Sequence, residues 1–318
     1  MKIIDFEYIR NLHTPPQTVY DWCNDVWRMK NDCILPPKVK MWQGKSGRYI
    51  TMPCVIPELD IAGVKFISRN VDDHEGIPAK SSNIMLQKCS HSGLLAVVDG
   101  TWITNMRTGA IAAHSVIEYS KTGFKSLGLM GLGMAARSFV YMLGNVFRQE
   151  LTVKLLRYKD QAEQFAERYR KTFPQLHFEI VEQYEDICIC DAVVSAVSFA
   201  RSNFVDDSVF QPGCIVVPIH TAGFQNCDLT FDKVIIDDEG HVSGYRYYQE
   251  FKDRAIEIEA IENGRCAGRE SDTERIIAYS GGIALHDIYI ATKILEIAER
   301  RNDVPNIAMQ QPQERFWL

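Results

Sequence analysis

The chain has 318 residues, long enough for two domains with buried cores, and 46% hydrophobic with 24% charged residues is the composition of an ordinary globular protein. A formal charge of −6, a pI near 5.8 and dispersed basic residues exclude a surface built for nucleic acid or an anionic membrane. No apolar run approaches the ~20 residues that span a bilayer, and Met1-Lys-Ile-Ile-Asp-Phe-Glu-Tyr8 lacks a signal-peptide pattern, so a cytoplasmic protein is expected.

The nine cysteines are odd in number, scattered and without a C-x-x-C pair, which points to reduced thiols. Cys188 and Cys190 read as packing before an apolar strand. The eight histidines have no metal-ligand spacing, so no metal site is expected.

In chain order, Pro15 to Trp27 reads as a helix with Val19, Trp22, Val26 and Trp27 on its apolar side. Strand patterns follow at 38–42 and 48–53, separated by a turn at Gly44–Gly47, and then at 61–68 and 93–99. Strands without regular intervening helices suggest a sheet of their own. A long helix opens at Thr101 and runs through Ser120. From there strand and helix alternate: strands at 127–130, 151–156, 178–181, 192–197, 214–219 and 233–237, and helices at 135–143 and 161–173. That alternation predicts a Rossmann-type doubly wound parallel sheet, and a final helix spans Ile283 to Arg300. The expected fold is therefore α/β, with the doubly wound sheet at 119–289. A second, α+β domain for substrate binding and dimerisation is expected at 1–118, completed by about 290–318.

The most informative stretch is Leu127 to Leu143, a short strand, the turn Gly131-Leu-Gly133-Met-Ala-Ala136 and a helix. In a G-x-G-x-x-A turn the first glycine permits the bend, the second lets a pyrophosphate approach the backbone, and the small third residue lets helix pack on strand. At the end of the second strand of this unit, Arg157-Tyr158-Lys159 stands where an acidic residue would take the ribose hydroxyls of NAD. Arg157 and Lys159 suit a 2′-phosphate and Tyr158 an adenine ring, so NADP(H) is favoured over NAD(H).

Thr104-Asn-Met-Arg107-Thr108-Gly-Ala110, with the glycine turn about 24 residues later, joins Met52-Pro53, Gly63-Val-Lys65, Gly268-Arg-Glu-Ser-Asp272 and Ser280-Gly-Gly282-Ile-Ala-Leu-His-Asp287 in a combined pattern. That pattern resembles the ornithine cyclodeaminase/mu-crystallin family over roughly residues 35–300. The resemblance implies a homodimer built through the non-Rossmann domain and a substrate in the cleft between domains. There a hydride passes between the nicotinamide and the Cα of an amino or imino acid. Carried over by residue, Arg107, Lys65 and Lys38 bind the substrate carboxylate, with Lys38 standing where the family has an arginine. Lys65 also polarises the reacting nitrogen. Thr108, Gly131, Gly133, Met134, Ala135, Arg157, Tyr158, Lys159, Ser280 and Gly282 are the cofactor-binding candidates, and Asp287 is expected to orient neighbouring backbone.

One departure limits the carry-over. After the fifth strand the family resembles G-[GA]-D-x-P-G-K-x-E-L, whereas this chain reads His220-Thr-Ala222-Gly-Phe-Gln-Asn-Cys-Asp228-Leu. Ala222 falls where the catalytic aspartate belongs, which weakens ornithine cyclodeamination as such. His220 either packs at a strand end or supplies a proton in its place. The expected activity is ketimine reductase-like hydride transfer. Its rivals are ornithine cyclodeaminase, an alanine dehydrogenase-like enzyme, an opine-type amino acid synthase and a non-catalytic mu-crystallin-like NADPH-binding protein.

Overall fold

The computed structural model describes residues 1–44, 47–70, 78–91 and 93–308. In chain order the elements are β1 (Lys2–Ile4), α1 (Phe6–Asn11), α2 (Pro16–Met29), β2 (Val39–Gln43), β3 (Gly47–Ile56), β4 (Ile61–Asn70), β5 (Lys80–Lys88), β6 (Leu94–Asp99) and α3 (Thr101–Tyr119). Then come β7 (Ser126–Met130), α4 (Met134–Val146), β8 (Leu151–Leu156), α5 (Gln161–Arg170), β9 (Leu176–Val181), α6 (Tyr184–Cys188), β10 (Ala192–Ser195), β11 (Ile215–Pro218) and α7 (Cys227–Thr230). The last are β12 (Lys233–Ile236), α8 (Glu239–Val242), α9 (Tyr248–Phe251), β13 (Ala255–Glu257), α10 (Ile258–Glu262), β14 (Ile276–Tyr279) and α11 (Ala284–Arg301). The turn expected at Gly44–Gly47 includes residues 45 and 46, which lie outside the described residues.

The chain divides into two compact units. One comprises Met1–His13, Asp32–Ile103 and Asp287 onward; the other comprises Thr14–Asn31 and Thr104–His286.

The first unit is built on a six-stranded sheet in the order β1-β6-β5-β4-β3-β2, antiparallel except for the β1–β6 pair. Side chains alternate across it, as a two-residue period requires. Met52, Cys54, Ile56, Lys65, Ile84, Leu86 and Val98 point to the buried face. The opposite face is apolar as well. Ile3, Val97, Met85 and Val64 stand in register across four strands, and the Tyr49 and Phe66 rings stack beside them at 5.9 Å between centroids. Ile3, Phe66, Met85, Met41 and Val39 are exposed on that face. α11 closes on the buried side at Gly63, where a Cβ would lie 2.6 Å from Ile288 Cδ1.

The second unit carries an eight-stranded parallel sheet in the order β13-β12-β14-β11-β10-β7-β8-β9. Its central strands are buried throughout and read as unbroken apolar runs, as strands covered on both faces must. Val193, Val216, Val234, Ile277 and Phe231 join one core cluster, and each such side chain contributes ~1.5–3 kcal/mol by leaving water. The strand order reverses between β7 and β10, so the crevice outside the carboxyl ends of these two strands is the ligand position this topology provides.

Helix α2 buries Val19, Tyr20, Cys23, Val26 and Trp27 while Trp22 is half-buried, and it packs on α4 and α10 within the second unit. α3 lies so close to α4 that a Cβ on Gly109 would sit 2.3 Å from the Ser138 carbonyl oxygen. This accounts for glycine at this position of the Thr104–Ala110 motif.

Candidate active site

Two groups of residues carry chemistry, one in each unit. In the second unit the glycine turn follows β7 at the point of strand-order reversal. Gly131 has φ +77°, and a Cβ there would lie 2.6 Å from the backbone of Ala196 and Val197. Only glycine fits that combination without strain. Gly133 caps α4 with an extended backbone, and nothing lies within 4 Å of where its Cβ would be. The first amides of α4 have no partner inside the helix, and with the helix dipole they make an anion-binding end. Met134 is exposed there, Ala135 half-buried and Ala136 fully buried against the fold. The open space at Gly133 and the small buried Ala136 fit a dinucleotide pyrophosphate.

Past the end of β8, Arg157, Tyr158 and Lys159 are exposed, with Lys159 Nζ 5.5 Å from the Tyr158 ring centre and φ +54° at Lys159. Arg157 is already engaged: Nε donates to Glu182 Oε1 at 2.5 Å and Nη1 to Glu163. A phosphate taken by this guanidinium must displace a carboxylate. Neither acidic residue is conspicuous in the sequence, because one lies in the next helix and the other just beyond β9.

Arg107 is buried in α3, and its Nη1 donates to the Gly281 carbonyl at 2.7 Å. Thr108 turns its hydroxyl back onto the Thr104 carbonyl at 2.6 Å. Ser280 is buried, with its hydroxyl accepting from Ser115 at 2.9 Å, so the side chain ties β14 to α3. Gly282 has φ +87° and donates its N–H to Asp237 Oδ2 at 2.7 Å. Asp237 was not among the sequence candidates, although a carboxylate at the carboxyl end of a parallel strand is a position that topology favours for function. His220 is exposed just beyond β11, at the same end of the sheet.

In the first unit Lys65 is 0% exposed on the inward face of β4 and pairs with the equally buried Asp287 of α11, Nζ to Oδ2 2.5 Å. The expectation that Asp287 orients backbone missed this role, which a separation of 222 residues conceals. Lys38 is half-buried just before β2.

Ala222 lies in the loop after β11, between Thr221 at φ +67° and Gly223 at φ +91°, and offers no proton. Asp228, six residues on, is buried in α7 with Oδ1 accepting from the Tyr279 hydroxyl at 2.5 Å. Burial pushes its carboxyl from the ordinary 3.8 up to about 6, against the opposing pull of Tyr279 and Arg254. The folded state therefore holds this proton more tightly than the unfolded chain. The group's contribution to stability is fullest below about pH 4 and is lost as pH rises to about 6, on the order of 3 kcal/mol. Asp228→Asn keeps an acceptor for Tyr279 and removes the buried charge. Urea unfolding of the variant and the parent should differ most at pH 7 and little at pH 4; equal differences at both would contradict the assignment.

A parallel sheet with a glycine turn at its reversal point and an open helix end beside that turn defines a dinucleotide-binding protein of Rossmann type. The chain belongs to the ornithine cyclodeaminase/mu-crystallin family, whose profile matches residues 24–302. It is 26% identical over 264 residues to a Delta(1)-pyrroline-2-carboxylate reductase of Bacillus cereus, covering 78% of this chain and 81% of the relative. It is 24% identical over 295 residues to the N-((2S)-2-amino-2-carboxyethyl)-L-glutamate dehydrogenase of Staphylococcus aureus, covering 86% and 87%. Among solved structures, an archaeal alanine dehydrogenase dimer with bound NAD superposes with a TM-score of 0.86 at 21% identity over 98% of this chain and 99% of that one.

Proposed function

We propose that the protein is an NAD(P)H-dependent oxidoreductase acting on C–N bonds, which reduces an imine beside a carboxylate to the corresponding amino acid. The observation that carries the reading is the buried Arg107, a fixed guanidinium on the same unit as a fitted dinucleotide turn. The relatives, an imine reductase and an N-carboxyalkyl amino acid dehydrogenase, share this chemistry.

The nicotinamide, when bound, supplies a hydride to the imine carbon and is oxidised. Arg107 holds the substrate carboxylate, with Lys38 as a second cation, and a fixed fork of donors orients the acceptor carbon without reorganisation. Lys65 donates a proton to the imine nitrogen as the carbon gains its hydride, and Asp287 keeps the ammonium charged beforehand. His220, exposed at the sheet end, is the second candidate donor. Ala222 offers no group for the successive proton transfers of ornithine cyclodeamination. A second reading, reductive joining of an amino acid to a keto acid, draws on the Staphylococcus aureus relative and uses the same residues.

NADP(H) is the proposed cofactor because Arg157, Tyr158 and Lys159 are exposed together past β8. Arg157→Ala should weaken NADPH about tenfold or more and leave NADH nearly unchanged, read by fluorescence titration; equal effects on both would remove Arg157 from the site. Turnover is tested by NADPH oxidation with pyrroline-2-carboxylate, piperideine-2-carboxylate and pyruvate plus amines. Tight NADPH binding with no oxidation on any of them would favour the non-catalytic binding protein.

The apolar outer face of the six-stranded sheet is the proposed homodimer surface, in keeping with the dimer named for the archaeal neighbour. Phe66→Glu with Met85→Lys should convert a two-chain mass to a one-chain mass in sedimentation; an unchanged mass would place the contact elsewhere. None of the nine cysteines is in a disulfide, which suits the cytoplasm as the proposed location; among the described residues no helix is long and apolar enough to cross a membrane.

A further inference from the structure

The N–H of Gly282 and the carbonyl of Gly281 belong to one peptide unit. Asp237 Oδ2 accepts from the N–H at 2.7 Å, and Arg107 Nη1 donates to the carbonyl at 2.7 Å. A carboxylate thus sits at the positive end of a single peptide dipole and a guanidinium at its negative end, with Asp237 and Arg107 both buried. Hydrogen bonds in such a chain polarise one another, and the charged ends make both bonds stronger than neutral ones. The peptide is flanked by glycines on both sides, so by itself it would rotate at little steric cost. Rotation would turn the N–H toward Arg107 and repel it. A Cβ on Gly282 would lie 2.0 Å from Arg107 Nη1, whereas one on Gly281 would meet only the Ile219 carbonyl oxygen at 3.8 Å.

We infer that Asp237 is a positioning residue that locks the Gly281–Gly282 peptide and, through it, fixes the Arg107 guanidinium for the substrate carboxylate. This rests on the reading of Arg107 as the carboxylate holder. Asp237 reaches the peptide from the end of β12, while its other oxygen lies 3.7 Å from His241 Nδ1. Its backbone N–H is tied to the Tyr279 carbonyl at 3.1 Å, which anchors it to β14. Two neighbouring strands and α3 are therefore joined through one peptide.

The test uses steady-state kinetics with NADPH and pyrroline-2-carboxylate, together with NADPH affinity by fluorescence. Asp237→Ala should raise KM for pyrroline-2-carboxylate about tenfold or more, with kcat and NADPH affinity within about threefold. Asp237→Asn, which keeps an oxygen for the Gly282 N–H, should recover most of the loss, to within about fivefold of the parent. In an Arg107→Gln background Asp237→Ala should add nothing further, because the two act as one unit. An unchanged KM in Asp237→Ala, or parallel losses in KM, kcat and NADPH affinity, would overturn the positioning role. If Arg107→Gln itself leaves KM unchanged, it is the reading of Arg107 that fails. Should Asp237→Ala not fold, Asp237→Leu, which keeps the volume and removes the acceptor, carries the kinetic test, and a KM equal to the parent's overturns the proposal. A crystal structure of Asp237→Ala or Asp237→Leu decides the matter whatever the substrate: a rotated peptide or a displaced guanidinium supports it. In Asp237→Ala, the peptide in place with Arg107 still on the Gly281 carbonyl refutes it.

Discussion

Lys65→Met should lower kcat on an imine substrate by about 10²–10⁴ while leaving NADPH affinity within about twofold of the parent, the loss expected when a proton donor is removed. The measurement needs a stability control, because Asp287 would be left buried without the ammonium that pairs with it. Breaking a buried pair from one side costs ~3–5 kcal/mol, enough to imitate a catalytic defect by unfolding. The double variant Lys65→Met/Asp287→Leu removes both charges and should regain most of that stability without regaining turnover. Activity that returns with stability would show that Lys65 serves the fold alone. A third variant, Asp287→Asn, keeps the lysine and removes the charge that holds its proton, and should shift the pH profile of kcat to lower pH.

The glycine turn supports the second large effect. Gly131→Ala forces a side chain into a left-handed backbone, at about 1–2 kcal/mol, and drives a Cβ to 2.6 Å from the backbone of Ala196 and Val197, which adds about 1–3 kcal/mol. The melting temperature should fall by roughly 5–15 °C. NADPH affinity should fall about 100-fold or more as the turn shifts, given tenfold for each ~1.4 kcal/mol. Gly133→Ala separates geometry from space. Its backbone suits any residue and its surroundings are open, so stability should stay within ~0.5 kcal/mol, yet the methyl enters the space read as the pyrophosphate site. A Gly133→Ala protein that binds NADPH like the parent would mean that the phosphates do not lie at this helix end.

What the sequence reveals about the fold follows from how strands are buried. β8, whose residues alternate buried and half-buried, is read over its observed span, and β10, β11 and β12 within two residues, because strands covered on both faces read as apolar runs. β5 escapes notice. Its inward residues are Ser82, Ile84 and Leu86, and the serine replaces the apolar residue that would complete the alternation. β13, three residues long and half-buried throughout, is too short for a period to show. For the site, motifs bring Lys65, Arg107 and the glycine turn into view, since each residue type suits its proposed chemistry. Their pairings do not appear. Asp287, Asp237 and the carboxylates on Arg157 act through contacts that only the folded chain creates.

The Lys65–Asp287 pair also sets a schedule for biosynthesis. The six-stranded sheet can be laid down early, but the counter-ion of its lysine and the Ile288 side chain that packs on Gly63 are translated more than 220 residues later. At about 5–20 residues per second that interval is roughly 10–45 s. During it the parallel-sheet unit is made almost entirely from contiguous chain and can fold, while the lysine still lacks Asp287. The N-terminal sheet therefore lacks part of its inward packing until α11 is made, and a nascent chain arrested before α11 would hold Lys65 without Asp287 and Gly63 without Ile288.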